Sequence, residues 1–502
     1  MTTSPLTPSF EHEDQAQALD LRSALTMIYL AVPVALFLGG WFRPLAAVVL
    51  LTALLGGLFF ALRPSWKAWR PAMSSRTLLW TAGLAIVAIT WSCLGGAGHL
   101  FFANPDWTIR DAVLRDLSQS TWPPSYRDAE GIEVILRAPV AYYLPSATLA
   151  QWLGIEWADR LLLVWTALGA GLFLSLIPLS SNALRATLGM ACVVLFSGMD
   201  IVGCWLLKQS CSPPGTHIEW WATLFQYSSN STLLFWVPNH ALPAWLAMAL
   251  FFRHWRNPDF LPMAPMLMAL LPMWTPFAAI GMSPFYLLLL PAAFRAGWRF
   301  FNPIKLAPAL LLLATEGLYL TLDLNSVPSG RQAGLSADFL LTYSAFCLVE
   351  FGLLGLALCR DGKGPLLHVA LLTLCVLPFF RVGEANDLVM RASIPALMLM
   401  CLVFLQTLQN ERIRLQDLAG TGVLLLIGSV TPMQEIYRAI TQPAWQVHAE
   451  DTLLQAAKGK LPTHYVARMN QPLLVSLMRS PHPVKQPGAP DQEGPKYQPA
   501  TP

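Results

Sequence analysis

Three aspartates recur at five-residue intervals in the polar segment 99–126, which lies between long apolar stretches: Asp106, Asp111 and Asp116. Arg110 and Arg115 each follow an aspartate by four residues, a spacing that predicts ion pairs on one amphipathic helix over 104–119. A carboxylate at a membrane boundary can take a proton from a hydroxyl group or bind a divalent cation beside a phosphate. Asp106 lies nearest the preceding apolar stretch and is therefore the leading candidate for a catalytic base, with Asp111 second. The alternative is a solvated helix with ordinary ion pairs.

A second polar segment, 207–240, combines aromatic rings with hydrogen-bonding side chains. Its candidate binding residues are His217, Glu219, Trp220, Trp221, Gln226, Tyr227 and His240. Tryptophan faces stack on the apolar face of a sugar ring, while nearby amide, hydroxyl and imidazole groups satisfy its hydroxyls. The two histidines are also candidates for contact with a phosphate or a metal. The alternative is an aromatic belt at the membrane interface.

The third polar segment, 381–391, lies between two apolar stretches and contributes Arg381, Asn386, Asp387 and Arg391. Arginine can hold a phosphate through two parallel hydrogen bonds. Arg391 lies at the start of the following apolar stretch, where it could hold a lipid phosphate at headgroup depth. The alternative is an arginine that extends to the interface beside a local carboxylate partner.

The composition is that of a membrane protein. Of the 502 residues, 55% are hydrophobic and 12% are charged, whereas soluble proteins have about 25% charged residues. The net charge of +3 is too small to suggest a nucleic-acid partner, and no phosphate-binding glycine-rich motif of a nucleotide-driven motor is present. The sequence therefore predicts an all-α, polytopic fold.

Apolar stretches of about 20 residues can cross a bilayer, and the sequence predicts about thirteen of them. They are 24–41, 45–62, 77–98, 160–179, 186–206, 241–253, 261–277, 279–294, 306–323, 339–358, 365–380, 392–408 and 419–437. The expected organisation is a cytoplasmic segment 1–23, a membrane domain 24–437, an outer segment 438–480 and a disordered proline-rich tail 481–502. Segment 137–154 is short and interrupted by proline, so we expect interfacial helices rather than a span in the first large outer loop, 99–159.

Arginine and lysine are more frequent in the short loops on one side of this predicted bundle than on the other. The positive-inside rule then places the N-terminus in the cytoplasm. The polar segments 99–159, 207–240 and 381–391 all fall on the opposite, extracytoplasmic face of the plasma membrane, which predicts that the protein works there. Cys204 and Cys211 could pair in that oxidising compartment.

The chain resembles the GT-C superfamily of membrane glycosyltransferases and a bacterial family of GT-C-like membrane proteins, over roughly residues 77–410. The motifs are PDWTIRDAVLRDL…WPPSY in the first loop, HIEWW…QYSSNSTLLFWVPNHALPAWL, and NDLVMRASIPAL. The resemblance implies a polyprenyl-phosphate-linked sugar donor and a lipid or glycan acceptor. It further implies that Asp106 or Asp111 deprotonates the acceptor, while Arg391, Arg381 or Arg110 meets the phosphate.

The five-residue spacing of the aspartates departs from the DxD or ExD motif of that superfamily. This departure leaves open which carboxylate is the base. It also leaves the cofactor unknown, with a divalent cation such as Mg²⁺ or Mn²⁺ as the candidate.

Three other functions compete with this interpretation. An O-antigen polymerase or ligase would use the same kind of lipid-linked sugar but rely on later outer loops. A transporter or flippase would use acids inside the spans as coupling residues, namely Asp200, Glu316 and Glu350, because intramembrane acids are costly and usually functional. An assembly subunit without activity is the third.

Overall fold

The architecture was obtained from a computed structural model. It describes residues 19–63, 75–128, 130–207, 211, 213–223, 225–331, 336–359, 364–383, 386–445 and 452–484. The N-terminal segment up to residue 18 and most of the predicted tail therefore lie outside the described residues.

The protein is mainly helical. The helices of the first half are α1 (Leu21–Trp41), α2 (Pro44–Leu62), α3 (Ser75–Leu94), α4 (Trp107–Gln119), α5 (Leu144–Leu153), α6 (Ala158–Leu176), α7 (Ala183–Leu195), α8 (Asp200–Leu206), α9 (Asn230–Trp236) and α10 (Pro238–His254). Those of the second half are α11 (Ala264–Ala269), α12 (Pro276–Tyr286), α13 (Leu290–Ala296), α14 (Pro303–Leu320), α15 (Ala337–Cys347), α16 (Leu353–Cys359), α17 (Gly364–Val376), α18 (Asp387–Ala392), α19 (Ile394–Gln409), α20 (Ala419–Gly428), α21 (Val430–Thr441), α22 (Leu453–Ala456) and α23 (Pro472–Leu477).

Eight helical segments are long and apolar enough to cross a membrane, or nine if the bent pair α7–α8 forms one span, among the residues that the structure describes. The eight are Leu21–Trp41, Pro44–Leu62, Ile155–Leu176, Pro276–Ala296, Pro303–Leu320, Ala337–Cys359, Asp387–Gln409 and Leu415–Thr441. The polytopic helical fold is confirmed. The count of thirteen is wrong.

Several of the spans predicted from the sequence are not among these eight, because their apolar helices are broken or too short to cross a membrane. Segment 261–277 contains only the six-residue helix α11 before the chain turns, and α10 has 17 residues. The apolar helix Gly364–Phe379 has 16 residues and is also below the length of a full span. A helix rises about 1.5 Å per residue, so 16 residues cover roughly 24 Å of a hydrocarbon core about 30 Å thick.

The first polar segment also contains strands, which the sequence analysis did not predict. Strands β1 (Pro124–Arg127) and β2 (Glu133–Leu136) form an antiparallel hairpin. The hairpin is extended on one side by β5 (Val466–Ala467) and on the other by β6 (His482–Pro483). Of the tail expected to be disordered, residues 481–484 are described and include β6, and residues 485–502 lie outside the described residues. Strands β3 (Ser329–Arg331) and β4 (Phe380–Val382) form a separate two-stranded antiparallel sheet.

Helix α4 lies inside the protein rather than on the membrane surface. Ten of its 13 residues are buried, including both arginines and two aspartates. Helix α5 packs beside it and has ten residues, or roughly 15 Å of rise. This length agrees with the expectation that segment 137–154 does not cross the membrane.

Helices α10 and α19 form the centre of the bundle. Fifteen of the 17 residues of α10 and fourteen of the 16 residues of α19 are buried. The second polar segment leads into α10 through α9, and the third leads into α19 through α18. These two central helices therefore fix the positions of both polar segments relative to each other.

We expect Gly281→Ala to destabilise the protein by about 1–3 kcal/mol, because overpacking displaces backbone. A methyl group at Gly281 in α12 would clash with the carbonyl oxygen of Ala392 at the end of α18. Gly317→Ala in α14 is the matched control. Its added methyl group meets open space, so removing a helical glycine should stabilise by about 0.5–1 kcal/mol. Thermal unfolding of the two variants should shift in opposite directions, and equal shifts would contradict the close contact.

Candidate functional site

A cavity of about 480 Å³ lies where the three polar segments meet, and we call it the Asp106 cavity. It is lined by Asp106, His217, Trp220, Thr223, Phe225, Gln226, Ser228, Thr232, Leu233, Trp236, Val237, Asn386, Asp387, Met390 and Arg391. Seven of these were candidates from sequence, and they come from all three segments: Asp106, His217, Trp220, Gln226, Asn386, Asp387 and Arg391. The structure thus brings together residues up to 285 positions apart (391 minus 106).

Asp106 presents the accessible carboxylate of helix α4. Its side chain is 47% exposed, and among the described residues its carboxylate has one ion-pair contact, a long one of 3.5 Å with Arg110. The start of α4 is fixed to α9, because the side chains of Asn104 and Trp107 both donate hydrogen bonds to the carbonyl oxygen of Phe235, at 2.7 and 2.9 Å. Asp106 is therefore held on the cavity wall by its backbone, while its carboxylate faces the cavity.

Arg110 lies behind Asp106 and is almost completely buried. Its guanidinium donates to the amide oxygen of Asn239 at 3.0 Å and to the hydroxyl of Tyr143 at 3.5 Å. It does not line the cavity. The position of Arg110 suits a group that orients Asp106 rather than one that contacts a phosphate directly.

Asp111 is not on the wall of the Asp106 cavity. Its carboxylate is 1% exposed and lies 2.9 Å from Nε2 of His99. The predicted ion pair of Asp111 with Arg115 is wrong, because Arg115 pairs with Asp159 of α6 at 3.1 Å. Burial raises the pKa of Asp111 to about 6, partly opposed by the hydrogen bond from His99. Asp111 therefore anchors α4 to its surroundings.

Asp116 links helix α4 to strand β1 and to the start of helix α22. Its Oδ2 atom accepts hydrogen bonds from the hydroxyl of Tyr126 in β1 at 2.7 Å and from the backbone N–H of Leu453 at 3.0 Å. Burial raises the pKa of Asp116 to about 7, although both hydrogen bonds act in the opposite direction. This aspartate therefore holds a proton in the folded protein at a pH where the unfolded chain has released it.

The raised pKa of Asp116 predicts a pH-dependent stability. The contribution of Asp116 to the free energy of unfolding is fully present below about pH 4, the ordinary pKa of aspartate. It is lost as the pH rises to about 7, the pKa of Asp116 in the folded protein. Asp116→Asn keeps an acceptor oxygen without the charge, so the difference in melting temperature between variant and wild type should grow in favour of the variant from pH 4 to pH 8. Asp338→Asn, at an exposed aspartate, is the control. A constant difference across this range would contradict the prediction.

Arg391 supplies a cation on the opposite wall of the cavity. It pairs with Asp387 one helical turn earlier at 2.9 Å, and its guanidinium carbon lies 5.9 Å from the centre of the Phe277 ring. Its side chain is 19% exposed. The ion pair and the ring fix the guanidinium while leaving part of it accessible from the cavity.

His217 forms another wall of the cavity together with Trp236, and behind it lies Glu435, which the sequence analysis missed. Its Nδ1 lies 2.8 Å from Oε1 of Glu435, whose other oxygen accepts from the indole N–H of Trp236 at 2.8 Å. Burial favours the neutral imidazole, but the hydrogen bond to Glu435 and the negative charges of Glu219 and Glu435 outweigh it and raise the pKa of His217. The sequence signal that could have drawn attention to Glu435 is its spacing from Arg438, an acid and a base three residues apart at the end of the last span.

A third wall offers an aromatic face with hydrogen-bonding groups. Trp220 is 60% exposed, and its indole N–H donates to the amide oxygen of Gln226 at 2.9 Å. The amide nitrogen of Gln226 donates to Glu219 at 2.9 Å and to Ser228 at 3.1 Å. Glu219 is buried behind this wall and also accepts from the backbone N–H of Ser229. The indole plane is thus fixed beside an ordered row of polar groups.

Besides Arg110, Asp111 and Glu219, four more of the sequence candidates lie away from the cavity lining. Trp221 is buried and donates to Glu350 at 2.8 Å, while the hydroxyl of Tyr227 donates to the carbonyl of Leu374. His240 is buried in α10 with Nδ1 at 2.5 Å from the hydroxyl of Thr275. Arg381 is exposed in β4, where it is paired in register with Gly330. None of these four side chains is part of the cavity wall.

The residues lining the Asp106 cavity do not fit a divalent cation. Its two carboxylates, Asp106 and Asp387, lie against Arg110 and Arg391 respectively. Among the described residues, one group has ligand atoms close enough to hold a metal, within 4.8 Å of one another, and it consists of His99, Asp111 and Asp159. None of these three lines the cavity. We therefore derive no step through a metal.

Cys204 and Cys211 form a disulfide at the start of the second polar segment. Disulfides persist in extracytoplasmic compartments and are rare in the reducing cytosol. The bond is consistent with the outer location that the distribution of basic residues predicts for this segment.

No protein family, no curated protein and no solved structure matches the chain.

Proposed function

We propose that the protein is a membrane glycosyltransferase of the GT-C type, acting on the extracytoplasmic face. The donor is a polyprenyl-phosphate-linked sugar, and the acceptor is a lipid or a glycan. The observation that carries this proposal is a single cavity whose walls supply an accessible carboxylate, an arginine guanidinium, a histidine imidazole and an exposed indole. These are the groups that sugar transfer from a lipid phosphate needs.

Each wall has a role in the proposed reaction. Asp106 takes the proton from the acceptor hydroxyl as its oxygen forms a bond to C1 of the sugar. The bond between C1 and the phosphate oxygen breaks, and the phosphate leaves with the electron pair. Arg391 and the imidazolium of His217 stabilise that charge. Trp220 stacks on the sugar, while Gln226 binds its hydroxyl groups.

The proposal is tested by assaying transfer with purified protein in lipid nanodiscs. Radiolabelled sugars linked to polyprenyl phosphate serve as donors, and lipid and glycan extracts of a deletion strain serve as acceptors. We expect transfer of label to one acceptor class by the wild type. We also expect a glycan or glycolipid that is absent from the deletion strain and is restored by the wild-type gene. Restoration by an Asp106→Asn gene would contradict the assigned chemistry.

A transporter remains the second candidate because acidic side chains meet inside the bundle. Asp200 accepts a hydrogen bond from Thr431 at 2.7 Å and also contacts Glu350. Neither acid lines the Asp106 cavity. Loss of solute uptake in Glu350→Gln, in a protein that transfers no sugar, would favour this alternative.

A further inference from the structure

A second large cavity lies at the other end of α10 from the Asp106 cavity. It has a volume of about 720 Å³ and is lined by the residues that follow α10, by α13 and by the start of α14. Val237 of the Asp106 cavity directly precedes α10, whereas Trp255 of the second cavity directly follows it. Seventeen residues of helix separate the two by roughly 25 Å, so they lie toward opposite ends of the bundle.

Three cations converge on this second cavity from three different parts of the fold. Arg256 follows α10, Arg295 lies in the last turn of α13, and Lys305 lies in the first turn of α14. Among the described residues of the lining, Asp259 is the one acid. The lining therefore carries two more positive than negative charges, and we call it the basic cavity.

The remaining wall of the basic cavity is apolar, with leucine, proline and aromatic side chains such as Leu289, Leu306 and Phe300. Trp255 also lines it, and the guanidinium carbon of Arg256 lies 4.8 Å from the centre of a Trp255 ring. Tryptophan and arginine occur together at the depth of lipid headgroups. Cationic side chains beside an aliphatic wall are suited to an amphiphilic ligand, whose phosphate would contact the cations and whose acyl chain would contact the wall.

We propose that the basic cavity binds the headgroup phosphate of an anionic phospholipid. The excess of basic residues in these loops predicts that the cavity faces the cytoplasm, where basic pockets between transmembrane helices bind anionic headgroups. The site is separate from the Asp106 cavity and does not depend on the function proposed for it. Its ligand is a lipid resident in the membrane rather than the sugar donor.

The test measures lipid retained by the full-length protein with native mass spectrometry and titrated phosphatidylglycerol. The variant combines Arg256→Gln, Arg295→Gln and Lys305→Gln. Each cation near an anionic headgroup contributes about fivefold to binding, so we expect affinity to fall roughly a hundredfold. The matched control combines Arg63→Gln, Arg412→Gln and Arg414→Gln, three basic residues outside the basic cavity, and it should change affinity less than twofold.

Asp259→Asn provides a second measurement that loss of folding cannot imitate. Removing the acid from the lining should tighten phosphatidylglycerol binding by several-fold. Equal losses in the cavity variant and the matched control would overturn the proposal, as would equally tight binding of zwitterionic phosphatidylcholine. Displacement of the lipid by millimolar inorganic phosphate would assign the site to free phosphate and would also overturn it.

Discussion

Asp106→Asn should lower the turnover number for sugar transfer by about 10²–10⁴-fold, the usual contribution of a general base. The asparagine has nearly the same shape, and the side chain of Asp106 is 47% exposed without a close hydrogen-bond partner. The melting temperature should therefore change little, and so should the KM for the donor. Steady-state kinetics with the lipid-linked donor, together with thermal unfolding, measure all three quantities.

Asp111→Asn is the matched control, since it removes a carboxylate five residues later on the same helix. Asp111 is buried against His99, so its replacement should lower the melting temperature, while transfer per folded molecule falls far less than in Asp106→Asn. The reverse pattern would identify Asp111 as the base and would sink the assignment of Asp106. The spacing of the two aspartates could not indicate which one is the candidate base. Their environments differ, because Asp106 is accessible whereas Asp111 is buried.

The sequence predicted which segments meet, but not how individual side chains are paired. Apolar lengths and basic loops placed the three polar segments on one face, and the structure brings them around one cavity. Hydrophobic patterning could not show that α4 is buried. An amphipathic helix with charges on one face has the same sequence pattern whether it lies on a membrane surface or inside the protein. His99 and Asp159 accommodate those charges from outside the helix.

Other elements were not predicted from the sequence for the same physical reason, which is that contacts between distant parts of the chain leave little local signal. Strand pairs such as β1 with β6 join residues more than 350 positions apart, and two- to four-residue strands leave almost no periodic signal. Glu435 lies beside Gln434 and Arg438 in the amphipathic helix α21, and the sequence does not show that His217 and Trp236 are its partners. Apolar stretches, in turn, cannot distinguish a full span from a short helix buried among its neighbours, such as α11.

Arg391 carries the second large prediction. Arg391→Gln should raise the KM for the polyprenyl-phosphate donor by roughly 10- to 150-fold, because a hydrogen bond to a charged group contributes about 1.5–3 kcal/mol. Arg391→Lys keeps the charge but loses the planar pair of donors, so it should recover only part of that affinity. Donor binding measured with unlabelled polyprenyl phosphate, which cannot react, separates this effect from catalysis.

The control for Arg391 is Arg381→Gln. Arg381 belongs to the same polar segment but is exposed in β4 and lies outside the cavity lining, so its loss should change the KM less than twofold. Arg391 also neutralises Asp387 at 2.9 Å, and the double variant Arg391→Gln with Asp387→Asn removes that uncompensated charge. If the double variant regains donor affinity, Arg391 only balances Asp387; if affinity stays low while stability recovers, the guanidinium itself holds the phosphate.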